Sequence, residues 1–266
     1  MGLLQDMAVS SRARCDALQT SAAQMRERAL ATPPPRRLAL SSFDLIAECK
    51  LRAPSAGELA RPADPEGEAA RRALMYAEAG AAAVSILTEP LRFDGALSHL
   101  AAAAAVCPVP VMRKDFLVDP IQVYEARLHG AGGVLLIVRM LDEETLGACL
   151  AAAEECDLFV LLEAFDEDDL VRAAPRVKAW TGQQPLMVGV NSRDLVTLEV
   201  EPDRLGRLAA SLPEGAVAVA ESGIEDPEEA KPLAQAGYSL ALVGSALMRA
   251  PDPGAFAAAL LEAGRC

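Results

Sequence analysis

Eight short apolar runs, separated by Ala-rich stretches of helical period, set the limits on what this chain can fold into. The runs are Asp44–Cys49, Ala82–Leu87, Val109–Arg113, Val134–Val138, Leu158–Glu163, Leu186–Val190, Ala216–Ala220 and Leu240–Val243. Between them, apolar residues recur at helical spacing near Glu66–Ala79, Pro120–His129, Asp142–Ala153, Asp166–Ala173, Pro202–Ala210 and Pro227–Ala236. Strand and helix in alternation make a parallel sheet, because each parallel neighbour needs a long crossover that a helix supplies. Asp119-Pro120 and Asp226-Pro227 read as helix starts, and Gly130 and Gly237 as helix stops. The expected architecture is therefore α/β, a (β/α)8 TIM barrel formed by residues 1–266 as one domain, with residues 1–40 as an N-terminal helical extension. Within that extension Gly2–Ala31 reads as one helix over a barrel mouth, ended by Thr32-Pro33-Pro34-Pro35.

Composition narrows the functional classes. Hydrophobic residues make up 52% of the chain but aromatics only 4%, so the core must be built from Ala, Val, Leu and Ile. A net charge of -13 disfavours broad contact with nucleic acid or an anionic membrane, and any anionic ligand must be caught by cations placed locally. Six cysteines without a Cys-x-x-Cys pair, and only two histidines, suggest free buried thiols rather than a metal site or a disulfide framework. His99 and His129 fall on helices and read as surface or packed residues. The amino terminus lacks a basic region followed by an apolar stretch, and no run approaches the length of a membrane span, so a cytoplasmic location is expected.

Four of the runs end in groups capable of acid–base chemistry: Ile46-Ala47-Glu48-Cys49-Lys50, Val111-Met112-Arg113-Lys114-Asp115, Leu161-Leu162-Glu163 and Val188-Gly189-Val190-Asn191-Ser192-Arg193. Side chains alternate across a strand, so Glu48 shares a face with Lys50, Asn191 with Arg193, and Lys114 with Met112. Only four of the 25 basic residues are lysines, and Lys50 and Lys114 both stand at strand ends, where an ammonium can exchange its proton and a guanidinium cannot. Glu163 closes an apolar run and should face the barrel mouth, whereas Asp166-Glu167-Asp168-Asp169 reads as the solvated start of a helix. After the last two strands, Ala220-Glu221-Ser222-Gly223-Ile224 and Leu242-Val243-Gly244-Ser245-Ala246 each carry a Ser-Gly pair. Either pair alone suits an ordinary turn; together they suit a phosphate cradle. Leu51–Glu66, rich in Ala, Pro and Gly, is the candidate mobile active-site loop.

These stretches resemble the indole-3-glycerol phosphate synthase family. The matching segments also include Pro54-Ser55, Ser85-Ile86-Leu87-Thr88-Glu89, Phe93-Asp94-Gly95, Lys114-Asp115-Phe116, Tyr124-Glu125-Ala126-Arg127, Val134-Leu135-Leu136-Ile137, Asn191-Ser192-Arg193-Asp194-Leu195 and Leu247-Met248-Arg249, all in the family's order. The resemblance implies a barrel without metal or organic cofactor that closes the indole ring of 1-(2-carboxyphenylamino)-1-deoxyribulose 5-phosphate with loss of CO2 and water. It implies Lys114 as general acid toward the ketone, Glu163 as the carboxylate assisting later proton removal, and Glu48 as stabiliser of the cationic intermediate. Lys50 would bridge phosphate and reacting groups, Asn191 and Arg193 would lie near the aromatic ring and its carboxylate, and Ser222, Gly223, Gly244 and Ser245 would form the phosphate loops. Pro54, Phe93, Phe116, Leu135 and Ile137 would wall the ring, although the last four equally suit core packing. The implied partner is a small phosphorylated substrate, with no nucleic acid or membrane; association with other tryptophan-pathway enzymes is compatible with it.

The chain departs from the family pattern at Ala53-Pro54-Ser55 and at Ala96, each lacking a usual serine, and in an apparently long connection from Arg172 to Leu186. Three other readings stay open at the level of sequence. They are a phosphoribosylanthranilate isomerase, a divergent paralogue acting on a substituted analogue, and a non-catalytic barrel binding a phosphorylated metabolite.

Overall fold

The computed structural model of the chain describes residues 2–266. Eight parallel strands close on themselves: β1 (Asp44–Cys49), β2 (Ala83–Leu87), β3 (Val111–Lys114), β4 (Gly133–Ile137), β5 (Phe159–Ala164), β6 (Leu186–Asn191), β7 (Val217–Glu221) and β8 (Leu240–Val243), with β8 returning to β1. Helices α1 (Leu3–Asp16) and α2 (Ala22–Leu30) precede the barrel. The crossovers are α3 (Pro65–Glu78), α4 (Leu97–Val106), α5 (Ile121–Leu128), α6 (Glu143–Glu155), α7 (Glu167–Ala179), α8 (Arg204–Ala209) and α9 (Ala230–Gln235), and α10 (Ser245–Arg249) and α11 (Pro253–Arg265) close the chain. The expected (β/α)8 barrel is the observed one, with strand ends within two residues of the expected positions.

Apolar packing falls into two shells. Outward residues such as Leu45, Val84, Val160 and Val188 meet the ring of helices, where small buried residues including Ala73, Ala103, Ala126, Ala173 and Ala257 let the helices approach the sheet closely. Inward residues form a separate column: Ile46, Met112, Leu135, Phe159, Leu161, Met187, Val219, Leu240 and Leu242. The column is filled rather than hollow, since Gly133 leaves the space that the Phe159 ring occupies, at 2.4 Å from where a Cβ would stand. Acidic caps start several helices: Asp64 accepts from Gly67 N, Asp142 from Thr145 N, Asp166 from Asp169 N and Asp252 from Ala255 N. Each such cap contributes about 1 kcal/mol by satisfying an otherwise unpaired backbone donor.

Three expectations need correction. Gly2–Ala31 is two helices, because Ser21 opens a capping box with Gln24 and starts the chain afresh after Asp16. The connection before β6 is not long: α7 runs on to Ala179 through Pro175, whose missing N–H would have paired with the carbonyl of Val171, a residue on the exposed face of the helix. The acidic run after Glu163 is not wholly solvated. Asp169 is buried, accepts from Phe165 N and from Arg139 Nε at 2.9 and 2.8 Å, and has its pKa raised by burial. Leu51–Glu66 contains a two-stranded ribbon, Arg52–Ala53 against Gly57–Glu58.

The extension serves both mouths. Leu38 belongs to the inward column and its N–H donates to Gln184 Oε1 just ahead of β6, which places this segment at the amino-terminal end of the strands. Helix α1 sits at the opposite end, where Met7 joins the column. Arg14 makes two hydrogen bonds to Asp115 at 2.7 and 2.8 Å, directly beyond β3. Among the described residues no helix is long and apolar enough to cross a membrane.

Candidate active site

The inward column changes character at its carboxyl-terminal end. Two residues beyond Ile46, Met112, Leu161 and Val219 on β1, β3, β5 and β7 stand Glu48, Lys114, Glu163 and Glu221. The period of two keeps all four on the inner face, and alternate strands bring them to one level. Lys114 Nζ lies 2.8 Å from Glu163 Oε2 and 3.3 Å from Glu221 Oε2, while Lys50 Nζ lies 2.6 Å from Glu48 Oε1. Three carboxylates and two ammonium groups therefore share one cavity.

Electrostatics at this level is set by burial against pairing. Burial alone would lower the pKa of Lys114, but the combined attraction of Glu163, Glu221 and Glu48 outweighs it and lifts the ammonium above its ordinary pKa. Glu221 responds the other way. Burial, opposed by Lys114 and reinforced by Glu163, raises its carboxyl well above the usual range. One oxygen each of Glu48 and Glu221 is buried without a hydrogen-bond partner, an uncommon condition for a carboxylate and one suited to a ligand that carries charge.

The charged level floors an open cleft at the carboxyl-terminal end of the barrel. All fifteen residues singled out from the sequence line it: Glu48, Lys50, Pro54, Phe93, Lys114, Phe116, Leu135, Ile137, Glu163, Asn191, Arg193, Ser222, Gly223, Gly244 and Ser245. Phe93 and Phe116, with ring centroids 6.0 Å apart, and the buried Leu135 and Ile137 offer an apolar wall. Across from it Asn191 accepts from the backbone N–H of Arg193, and Arg193 Nη1 donates to the carbonyl of Leu198, which fixes the loop after β6. Burial lowers the pKa of the Arg193 guanidinium, which stays charged.

The two loops of serine and glycine both border the cleft, and each carries a structural constraint. Ser222 and Gly223 both take positive φ, 67° and 76°, and the Ser192 hydroxyl donates to the Ser222 carbonyl at 3.0 Å. Gly244 is needed for space, because a Cβ there would stand 2.4 Å from Glu48 Oε1 and 2.9 Å from Lys50 Nζ. The second loop thus lies directly against the Lys50 ammonium.

Sequence reasoning left out several residues that line the cleft, among them Glu221, Leu3 and Asp115. Glu221 closes the apolar run Ala216–Ala220 in the same way that Glu163 closes its own, and that signal was sufficient to find it. Leu3 reaches the cleft from α1, which no local pattern announces. Asp115 also borders the cleft, but its carboxylate is spent on structure: Arg14, Thr88, Arg113 and the backbone N–H of Phe116 all donate to it. Among the described residues no cluster of His, Cys, Asp or Glu has the make-up of a metal site.

The family model for indole-3-glycerol phosphate synthase matches residues 7–260. An indole-3-glycerol phosphate synthase of Parafrankia sp. (strain EAN1pec) is 42% identical over 99% of this chain and 93% of its own length. That of Mycobacterium leprae (strain Br4923) is 40% identical over 96% and 90%, and that of Salinibacter ruber 45% identical over 80% and 75%. Among solved structures, 3-hexulose-6-phosphate synthase from Salmonella typhimurium superposes with a TM-score of 0.64 at 18% identity, covering 84% of this chain and 99% of that one. Phosphoribosyl anthranilate isomerase in complex with reduced 1-(o-carboxyphenylamino)-1-deoxyribulose 5-phosphate superposes with a TM-score of 0.57 at 13% identity, covering 84% and 98%. Likeness at that level of identity speaks for the fold alone.

Proposed function

Since the chain belongs to the indole-3-glycerol phosphate synthase family and is a carboxy-lyase closing the indole ring of a phosphorylated substrate, we propose how its own residues divide that work. The observation that carries the reading is the single ammonium of Lys114 held between Glu163 and Glu221, at 2.8 and 3.3 Å, with Glu48 at the same level. In 1-(2-carboxyphenylamino)-1-deoxyribulose 5-phosphate the ring carbon bearing the carboxylate attacks the ketone carbon. As that bond forms the ketone oxygen becomes an alkoxide, a base strong enough to take a proton even from an ammonium of raised pKa. Lys114 is the donor.

Attack leaves positive charge on the ring and its nitrogen, which Glu48 and the remaining carboxylates stabilise from the charged wall. The ring carboxylate then departs as CO2, its electron pair neutralising the cation. Arg193 holds that carboxylate beforehand, while Pro54, Phe93, Phe116, Leu135 and Ile137 keep the ring in an apolar slot. Loss of the former ketone oxygen as water needs a proton delivered to it and a proton removed from the indoline. Glu163 accepts the latter, Asn191 orients the ring edge, and Lys50 links the reacting end to the phosphate. Ser222, Gly223, Gly244 and Ser245 cradle that phosphate with backbone and hydroxyl donors.

The reading takes residues 1–266 as one catalytic unit and requires no further cofactor. Its test is the fluorescence of indole glycerol phosphate formed by the purified chain. Lys114→Ala should lower kcat by about 10²- to 10⁴-fold while substrate still binds. A Lys114→Ala variant that turns over at the parent rate would refute the assignment, and a parent chain that binds substrate without turnover would make it a binding protein.

A further inference from the structure

The charged level rests on a gap in the level beneath it. Gly189 occupies an inward position of β6, in register with Glu163 on one side and Val219 on the other. Its φ does not lie in the left-handed region, so the backbone there does not call for glycine; the space does. A Cβ at position 189 would lie 2.0 Å from Glu221 Oε1, 3.0 Å from Glu221 Cδ and 3.0 Å from Leu161 Cδ1. Glu221 Oε1 is the buried oxygen that has no hydrogen-bond partner. That oxygen is seated on the bare face of the glycine.

The geometry points to Gly189 as a positioning residue for the ring closure: the missing side chain sets the depth at which the Glu221 carboxylate sits beneath Lys114. Below Glu221 the column is filled by Leu161, Val219 and Leu242, so a displaced carboxylate can move only toward the cleft. There it would leave Lys114 or enter the volume of the substrate ring. The obstructing atoms are the far end of a flexible side chain, while Leu161 needs to give only a few tenths of an ångström. A methyl group at position 189 therefore moves the carboxylate more readily than it breaks the fold. Gly244, whose Cβ would meet Glu48 Oε1 at 2.4 Å, provides a comparable seat on the other side of the cavity.

This inference rests on the reading that Glu221 serves Lys114, and a double-mutant cycle separates the two. Glu221→Ala alone should lower kcat; an unchanged kcat would overturn that reading and this inference together. Given that loss, Gly189→Ala in the parent chain should lower kcat about tenfold or more with KM within about threefold, yet change kcat less than about twofold in the Glu221→Ala background. Equal losses in both backgrounds, or none in the parent, would overturn the inference while leaving the role of Glu221 intact. Should Gly189→Ala fail to fold, the Gly189→Ala/Glu221→Ala double variant should fold, and its failure would equally overturn the inference.

Discussion

Lys114 is set apart from other lysines by what surrounds it. An exposed lysine would be a free cation in water; here the ammonium is nearly enclosed and its charge is answered by carboxylates from two other strands. Burial, reinforced by the neighbouring Glu163, makes Glu221 hold its proton to higher pH. A group whose pKa is raised on folding contributes stability that is complete below its unfolded value, near 4.5, and that fades as pH rises toward the folded one. Glu221→Gln removes that titration. The stability of this variant relative to the parent should therefore increase as pH rises from about 4.5, with a slope of at most about 1.4 kcal/mol per pH unit. Denaturant melts of both chains from pH 4 to 8 give the slope, and a flat difference would mean that Glu221 ionises normally. The residue types at strand ends were legible from the chain alone, since a charge closing an apolar run has few other places to go. Their pairing was not, because which of several carboxylates meets Lys114 depends on strand order and register.

Helix α1 meets the site at Leu3 and, through Arg14, at one buried carboxylate. Asp115 is buried and accepts from Arg14, Thr88 and Arg113, between two residues, Lys114 and Phe116, that face the cleft. Burial would raise its pKa, but the two guanidinium groups and the Thr88 hydroxyl more than reverse this and hold it far below the usual carboxylate range. Arg14→Ala should lower unfolding stability by about 1–3 kcal/mol, less than a fully buried pair because Arg14 is partly exposed, and should speed amide exchange within α1. Unchanged exchange in α1 would show that Met7 and its apolar neighbours dock the helix unaided. At this scale the sequence was informative wherever polar and apolar residues alternate with a clear period. It was silent for α4, Leu97–Val106, whose Leu-Ala run offers no contrast between faces, and for α11. It ended α7 at Ala173, whereas the helix runs through Pro175 to Ala179.

The whole molecule presents an anionic substrate with a net charge of -13 and a cleft in which a few cations stand among carboxylates. Lys50, Lys114 and Arg193 are the cations of that cleft, and closing eight strands into a barrel brings them together from β1, β3 and β6. The fold was readable from the alternation of elements, and so was the rim at which the chemistry would gather; the depth of each carboxylate emerged only from packing. Whether Lys114 acts by giving up a proton or only by its charge is the central question. Lys114→Arg answers it most directly, since a guanidinium keeps a positive charge between Glu163 and Glu221 but does not donate its proton near neutral pH. Single-turnover formation of indole glycerol phosphate by this variant should be slowed about as much as by Lys114→Ala, at least ~10²-fold. A rate within about tenfold of the parent would contradict proton donation and leave Lys114 as a fixed charge.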